Sequence, residues 1–387
     1  MKLTSFPSLK ANTKMARATT TLFAIFQLAI ISILSLNNNI SVSVPDYSQP
    51  IIPYSKAALN NWFIANVKPF SDRKGTLNAT LQAAENRPKI IKVRKDGTGN
   101  FKTITDAVKS VPVNNKQRVI VDIGAGVYTE KITIERNKPF ITFYGSAKAM
   151  PTLSYHGTAA QYGTVYSATL TVESEYFVAA NLIIQNTAPR PDGKRKGAQA
   201  VALRTGGDKA ALYNCRILGF QDTLCDDKGR HFFKDCYIEG TFDYIFGSGK
   251  SIYLNTELHV VEEKGLRVIA AQARNEETED TGFVFAHCRV TGKGRGAFLG
   301  RAWMKRPRVV YAYTEMGAVV NPAGWFNNFH SEREGTATFA EYKCTGAGSK
   351  SAERVKYRKQ LTDAEAKPYL SLSFIAASQW LLPSPRV

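Results

Sequence analysis

From Ile90 onward the apolar residues come in short runs, and Gly, Pro, Asn and Asp separate the runs. IIKVRKDGTGNFKTITDAVKSVP reads as a strand, a Gly-rich turn and a short amphipathic helix over Thr105–Val111, stopped by Pro112. RVIVDIGAGVYTEKITI reads as two strands around a glycine turn, and PFITFYG as another strand. The pattern then starts to copy itself. Within Tyr213–Gly247 an offset of 21 residues sets Asn214 on Asp235, Cys215 on Cys236, Ile217 on Ile238, Gly219 on Gly240, Asp222 on Asp243 and Leu224 on Ile245. A period of about twenty residues is one turn of a parallel β-helix, whose stacked strands lie ~4.8 Å apart. The expected fold class is therefore all-β, a single-stranded parallel β-helix, with Asp222 and Asp243 as neighbours, each at the end of a short strand.

A fainter form of the repeat places Asn181, Asn214, Asp235, Asn255, His287 and Tyr313 at comparable strand positions, with spacings of 33, 21, 20, 32 and 26. Regular coils carrying extra loops account for that series, and such loops tend to gather on one face. Two of them, Thr187–Ala198 and GKGRGAFLGRAWMKRPR, are strongly basic; they are either solvated loops or the walls of a groove for an anionic polymer. The recurring Asn and Asp residues read as a structural ladder that satisfies backbone groups.

Both ends depart from this pattern. Residues 1–17 hold four basic and no acidic residues and precede the apolar run Thr21–Leu36, which is short for a bilayer span. This reads as a secretory signal peptide, residues 1–43, followed by a Pro-punctuated leader over 44–89 and one domain over 90–387. Asn78-Ala79-Thr80 is then a usable glycosylation sequon. At the C-terminus, residues 336–387 suggest a helical stretch including Tyr342, Val355 and Tyr357, then SLSFIAASQWLLP packed on the outside of the β-helix.

Charge narrows the partner. The formal net charge is +19, and removing the signal leaves +15, which points to nucleic acid, an anionic membrane or an acidic polysaccharide. Five cysteines are too few for a disulfide scaffold; Cys215 and Cys236, one coil apart, suit a bridge or two free thiols equally. No CxxC or His/Cys cluster suggests a metal. GxSxG and HExxH are absent, and Tyr244 stands where a phosphate-binding loop ending at Gly249-Lys250-Ser251 needs glycine. What remains is the carboxylate pair, with Gln199 in QAVAL and Gln221 in QDTL nearby.

DGTGNFKTI (96–104), GVYTE (126–130), QAVAL (199–203), QDTL (221–224), DYIFG (243–247), LGRAW (299–303) and NPAGW (321–325) occur in this order and spacing. Together they resemble the plant pectin methylesterases (pectinesterases) from Asp96 to the C-terminus. The resemblance implies a right-handed parallel β-helix and a cell-wall substrate, methyl-esterified polygalacturonate, in keeping with secretion and positive charge. It implies Asp243 as the nucleophile, Asp222 as acid and then base, Arg301 as the cation keeping Asp243 ionised, and Gln199 with Gln221 as oxyanion donors. It also implies Trp303 and Thr164 as substrate contacts, no metal or cofactor, a monomer with no nucleic-acid or mature membrane partner, and control by separate inhibitor proteins or pH. Two departures stand out. Ala302 replaces the family's usual proline, which predicts a looser Arg301–Trp303 loop, and only about fifty residues separate the signal from the domain, too few for an inhibitor-like pro-region. A calcium-dependent pectate lyase-like enzyme and a non-catalytic wall-binding protein are the rival readings.

Overall fold

The computed structural model describes residues 50–261, 265–350 and 352–385; the signal peptide expected over 1–43 lies outside them. Each of eight complete coils contributes one strand to each of three all-parallel sheets, and three more strands bring one of them, sheet I, to eleven beside eight in sheets II and III. The chain visits them in the order I, III, II. One coil runs Ala210–Tyr213, Arg216–Leu218, Leu224–Asp226, and the next runs Arg230–Lys234, Tyr237–Gly240, Ile245–Gly247. Leu212 pairs with Phe233, Ile217 with Ile238 and Leu224 with Ile245, the 21-residue offset seen in the sequence. The fold is a right-handed parallel β-helix.

The six repeat positions are corners, not strand positions. Asn181, Asn214, Asp235, Asn255, His287 and Tyr313 all adopt left-handed backbone, with φ between 48° and 60°, where sheet I hands over to sheet III. Asn and Asp tolerate this conformation better than other non-glycine residues. They form the expected ladder in two pieces: Asn214 Nδ2 donates to Asn181 Oδ1 (2.8 Å) and Asn255 Nδ2 to Asp235 Oδ1 (2.6 Å). The residue after each corner turns inward, giving a column that includes Cys215, Cys236, Thr256, Cys288, Thr314 and Cys344. Each donates its S–H or O–H to the carbonyl two residues back. All five cysteines are free thiols.

Inside, Phe233, Tyr253, Phe285 and Tyr311 stack one per coil at 4.5–4.6 Å between centroids, and Trp325 and Phe339 continue the pile. Such ring pairs add about 0.5–1.5 kcal/mol each beyond the area they bury. The outer face of sheet I is apolar too, and both ends of the described chain cover it. Leu59, Phe63 and Val67, with Leu77, Leu81 and Ala84, pack on it from the helices Leu59–Asn66 and Ala79–Glu85 and the turns beside them. Leu370, Leu372, Phe374, Ile375, Trp380 and Leu381 pack on it from the tail, as expected for SLSFIAASQWLLP.

Three local expectations shift. The helix near residue 105 is Ile104–Ser110, capped by the Thr103 hydroxyl. The segment 118–134 forms three strands, because Val127–Thr129 and Ile132–Ile134 join different sheets. The tail over 336–387, read as helical around Tyr342, Val355 and Tyr357, begins with the sheet I strand Thr338–Tyr342, and Val355 and Tyr357 lie in irregular chain; its α-helical part is Asp363–Ala366, with short turns after it.

Candidate active site

Sheet II carries the candidate site on its outer face. In the strand Leu224–Asp226 the side chains of Leu224 and Asp226 enter the interior, whereas Cys225 faces outward with Phe246 and Ala271. Long connections border this face on both sides, 187–202 before its strands and 273–281, 302–307 and 327–337 after them. Both basic loops picked out in the sequence lie here.

Asp222 and Asp243 occupy the corner where sheet III passes to sheet II, two residues before the strands Leu224–Asp226 and Ile245–Gly247. They therefore precede strands, where the repeat had suggested strand ends. Both are left-handed (φ 62° and 49°), and the Asp222 N–H donates to the Phe242 carbonyl at 3.1 Å, which fixes them on adjacent coils. Gly240 makes the corner tight enough: a Cβ there would lie 2.2 Å from Tyr244 Cβ and 2.6 Å from the Phe220 carbonyl.

Arg301, at the end of the strand Ala297–Arg301, grips Asp243 with two nitrogens. Nε lies 2.7 and 2.9 Å from the carboxylate oxygens and Nη2 2.5 Å from Oδ2. The guanidinium also lies over the Phe242 ring at 5.1 Å, and its third nitrogen donates to Asn328 Oδ1 at 2.9 Å. Among the described residues no cation grips Asp222 in this way. Burial, then the adjacent Asp243 charge, push its carboxyl well above the usual carboxylate range, and Arg301 opposes this only in part. Burial raises Asp243 as well, but the hydrogen bonds and charge of Arg301 pull it back, so Asp243 ionises first. The corner thus holds two unequal carboxyls, one paired with a guanidinium and the other more strongly raised by burial.

The other predicted residues lie on the neighbouring coils and connections of the same face. Gln199 and Gln221 lie on adjacent coils, since the Ala200 N–H donates to the Gln221 carbonyl at 3.2 Å. Gln199 Oε1 is buried without a hydrogen-bond partner. Thr164 precedes the turn Val165–Ser167, which the Ser167 hydroxyl ties to the Gln199 segment by accepting the Val201 N–H at 3.0 Å. Trp303, half-buried, meets Phe246 edge-on at 6.2 Å and closes an apolar patch with Val165, Ala168, Val201, Cys225 and Ala271.

The segment after Arg301 is well tied. The Ala302 N–H donates to the Phe326 carbonyl at 2.9 Å, a bond proline lacks the hydrogen to make. Arg333 Nη1 donates to the Ala302 and Trp303 carbonyls at 2.8 and 2.6 Å. These bonds offset the freedom expected from losing the proline. Sequence reasoning passed over Asn328, Phe329 and Arg333; their only signal is the Asn-Asn pair after GWF, a turn composition.

Among the described residues no group of three His, Cys, Asp or Glu side chains could hold a metal ion, and no helix is long and apolar enough to cross a membrane.

The family model described as Pectinesterase matches residues 90–378. The chain belongs to the pectinesterase family. Pectinesterase 2 of Olea europaea is 56% identical over 337 residues, 87% of this chain and 92% of the relative. Probable pectinesterase 50 of Arabidopsis thaliana is 56% identical over 335 residues, with the same coverage of both chains. Among solved structures, pectin methylesterase from carrot superposes with a TM-score of 0.70 at 31% identity, covering 78% of this chain and 97% of its own. A pectin methylesterase variant in complex with a hexasaccharide matches with a TM-score of 0.63 at 27% identity, covering 77% and 99%. This pectinesterase chain is therefore an ester hydrolase by family, and the bordered face of sheet II is where its acid pair lies.

Proposed function

We propose that this pectinesterase demethylates the methyl-esterified galacturonate of pectin through Asp243 as nucleophile and Asp222 as acid and base. The observation that carries the reading is the unequal pair: two carboxyls on adjacent coils, one gripped by Arg301 and the other not. Asp243 attacks the ester carbonyl carbon, and the developing oxyanion accepts hydrogen bonds from the Gln199 amide, with Gln221 in support. Collapse breaks the bond to the methoxy oxygen, which takes the Asp222 proton and leaves as methanol. The resulting acyl anhydride is opened by water; Asp222, now a carboxylate, takes the water proton as the new C–O bond forms. Galacturonate departs, Asp243 regains its charge, and Asp222 is again protonated.

Trp303 and Thr164 serve as contacts for the sugar chain, and the net charge of +15 beyond the expected signal favours a polyanionic substrate. The expected signal peptide and this substrate support a location outside the cell, in the wall, for a monomer that needs no cofactor and is open to a proteinaceous inhibitor.

The test is methanol release from esterified pectin, with and without chelator. The wild type releases methanol in both cases, and Asp243→Asn loses at least about a thousandfold in kcat. Unsaturated products, or an Asp243→Asn variant as fast as wild type, would overturn the reading.

A further inference from the structure

The loop after Phe326 is built around two consecutive left-handed residues, Asn328 (φ 58°) and Phe329 (φ 61°). Asn327 closes the turn from both sides. Its Oδ1 accepts the Phe329 N–H at 3.0 Å, its carbonyl accepts the His330 N–H at 3.1 Å, and its Nδ2 donates to Glu334 Oε1 at 2.7 Å. The consequence is a division of labour between neighbours. Phe329 is thrown outward, 88% exposed, while half-buried Asn328 is turned inward, where its Oδ1 accepts from Arg301 Nη1 at 2.9 Å.

An asparagine in this conformation needs no function to explain it, since the residue type is enriched there. Its bond partner is what matters. Arg301 uses Nε and Nη2 on Asp243, and Asn328 holds the remaining nitrogen. The guanidinium is planar and rigid, so fixing one edge fixes the direction of the other. The loop is itself anchored: Phe326 pairs with Arg301 across sheet II, and Arg333 binds the carbonyls of Ala302 and Trp303.

We propose that Asn328 is a positioning residue of the reaction: it holds the Arg301 guanidinium in the one orientation that sets its other two nitrogens on Asp243. The proposal rests on the assignment of Asp243 as nucleophile. Without Asn328, Arg301 spends less time in register with Asp243, and the burial that raises the Asp243 carboxyl is less opposed.

The experiment compares Asn328→Gly, Asn328→Asp and Asp243→Asn on esterified pectin across pH, with thermal melts alongside. Glycine keeps the left-handed turn and removes only the acceptor; aspartate keeps both turn and acceptor. The expected result for Asn328→Gly is a plateau kcat lower by about tenfold, an acid limb of kcat/KM moved to higher pH, and a melt close to wild type. Asn328→Asp is expected to retain a higher plateau kcat than Asn328→Gly. A wild-type plateau and acid limb in Asn328→Gly, or an Asn328→Asp variant no better than it, would overturn the proposal while an inactive Asp243→Asn left the nucleophile assignment standing. A fully active Asp243→Asn would instead remove that assignment and the proposal with it.

Discussion

Asp222 and Asp243 have the same residue type, the same corner and nearly the same backbone, and burial raises both, yet one neighbour makes them unequal. Arg301 reaches one carboxylate with two nitrogens and acts on the other only through space. The proposed reaction requires Asp243 ionised and Asp222 protonated, so kcat/KM is expected to be bell-shaped, its acid limb set by the pair's lower apparent pKa and its alkaline limb by the higher. The same shifts bear on stability. A carboxyl raised in the folded state binds more protons there than in the unfolded chain, so it costs stability as pH climbs from the unfolded value through the folded one. Asp222→Asn is therefore expected to be inactive but to melt at a higher temperature than wild type near neutral pH, with the gap closing below about pH 4. Melts recorded at a series of pH values check this; an unchanged gap would mean that Asp222 is not held neutral.

Elements in this fold are short, and columns of side chains running along the helix axis do much of the holding. The Cys215–Cys236–Thr256–Cys288–Thr314–Cys344 column is one: small side chains with a weak donor fit the inner corner and each answers a carbonyl. Burial pushes the thiols up, to about 12 for Cys215, Cys288 and Cys344, which makes them poor nucleophiles. A thiol-reactive dye is expected to label none of Cys215, Cys236, Cys288 and Cys344 in the native protein and all of them after unfolding; rapid native labelling of these four would contradict the column. Sequence alone left bridge and thiol equally open, because spacing sets how near two cysteines come and not whether the backbone already occupies their hydrogens. The two coils from Ala210 to Gly249 were legible since Asn214–Leu224 and Asp235–Ile245 keep one offset of 21 through two successive corners. Thr338–Tyr342 was not, because its inward and outward faces are both buried, so neither strict alternation nor an amphipathic stripe marks it. Arg301 lies 58 residues from Asp243 and is brought to it by the stacking of intervening coils; only the LGRAW resemblance pointed to it.

For the whole molecule, the instructive case is the segment read as a leader. Residues 50–88 contain apolar side chains at helical spacing, Leu59/Phe63/Val67 and Leu77/Leu81, and these cover the outer face of sheet I together with the tail. Ile52 N–H bonds the Leu370 carbonyl, and buried Arg118 pairs with Glu85, so this segment is stitched to both the tail and the sheet. Deleting residues 50–88 is expected to expose a large apolar surface and to give aggregated protein, or a melting temperature lower by more than ten degrees. A deletion variant that stays soluble and melts like wild type would show the segment to be dispensable.

The distance between the two aspartates is set by main-chain pairing between successive coils, and no side-chain packing has to define it. Such a scaffold works as a ruler with graduations of about 4.8 Å. Chemistry that needs two groups at that separation can be written at any pair of adjacent marks along sheet II, and what singles out one pair is the arrival of a single cation from farther along the scale.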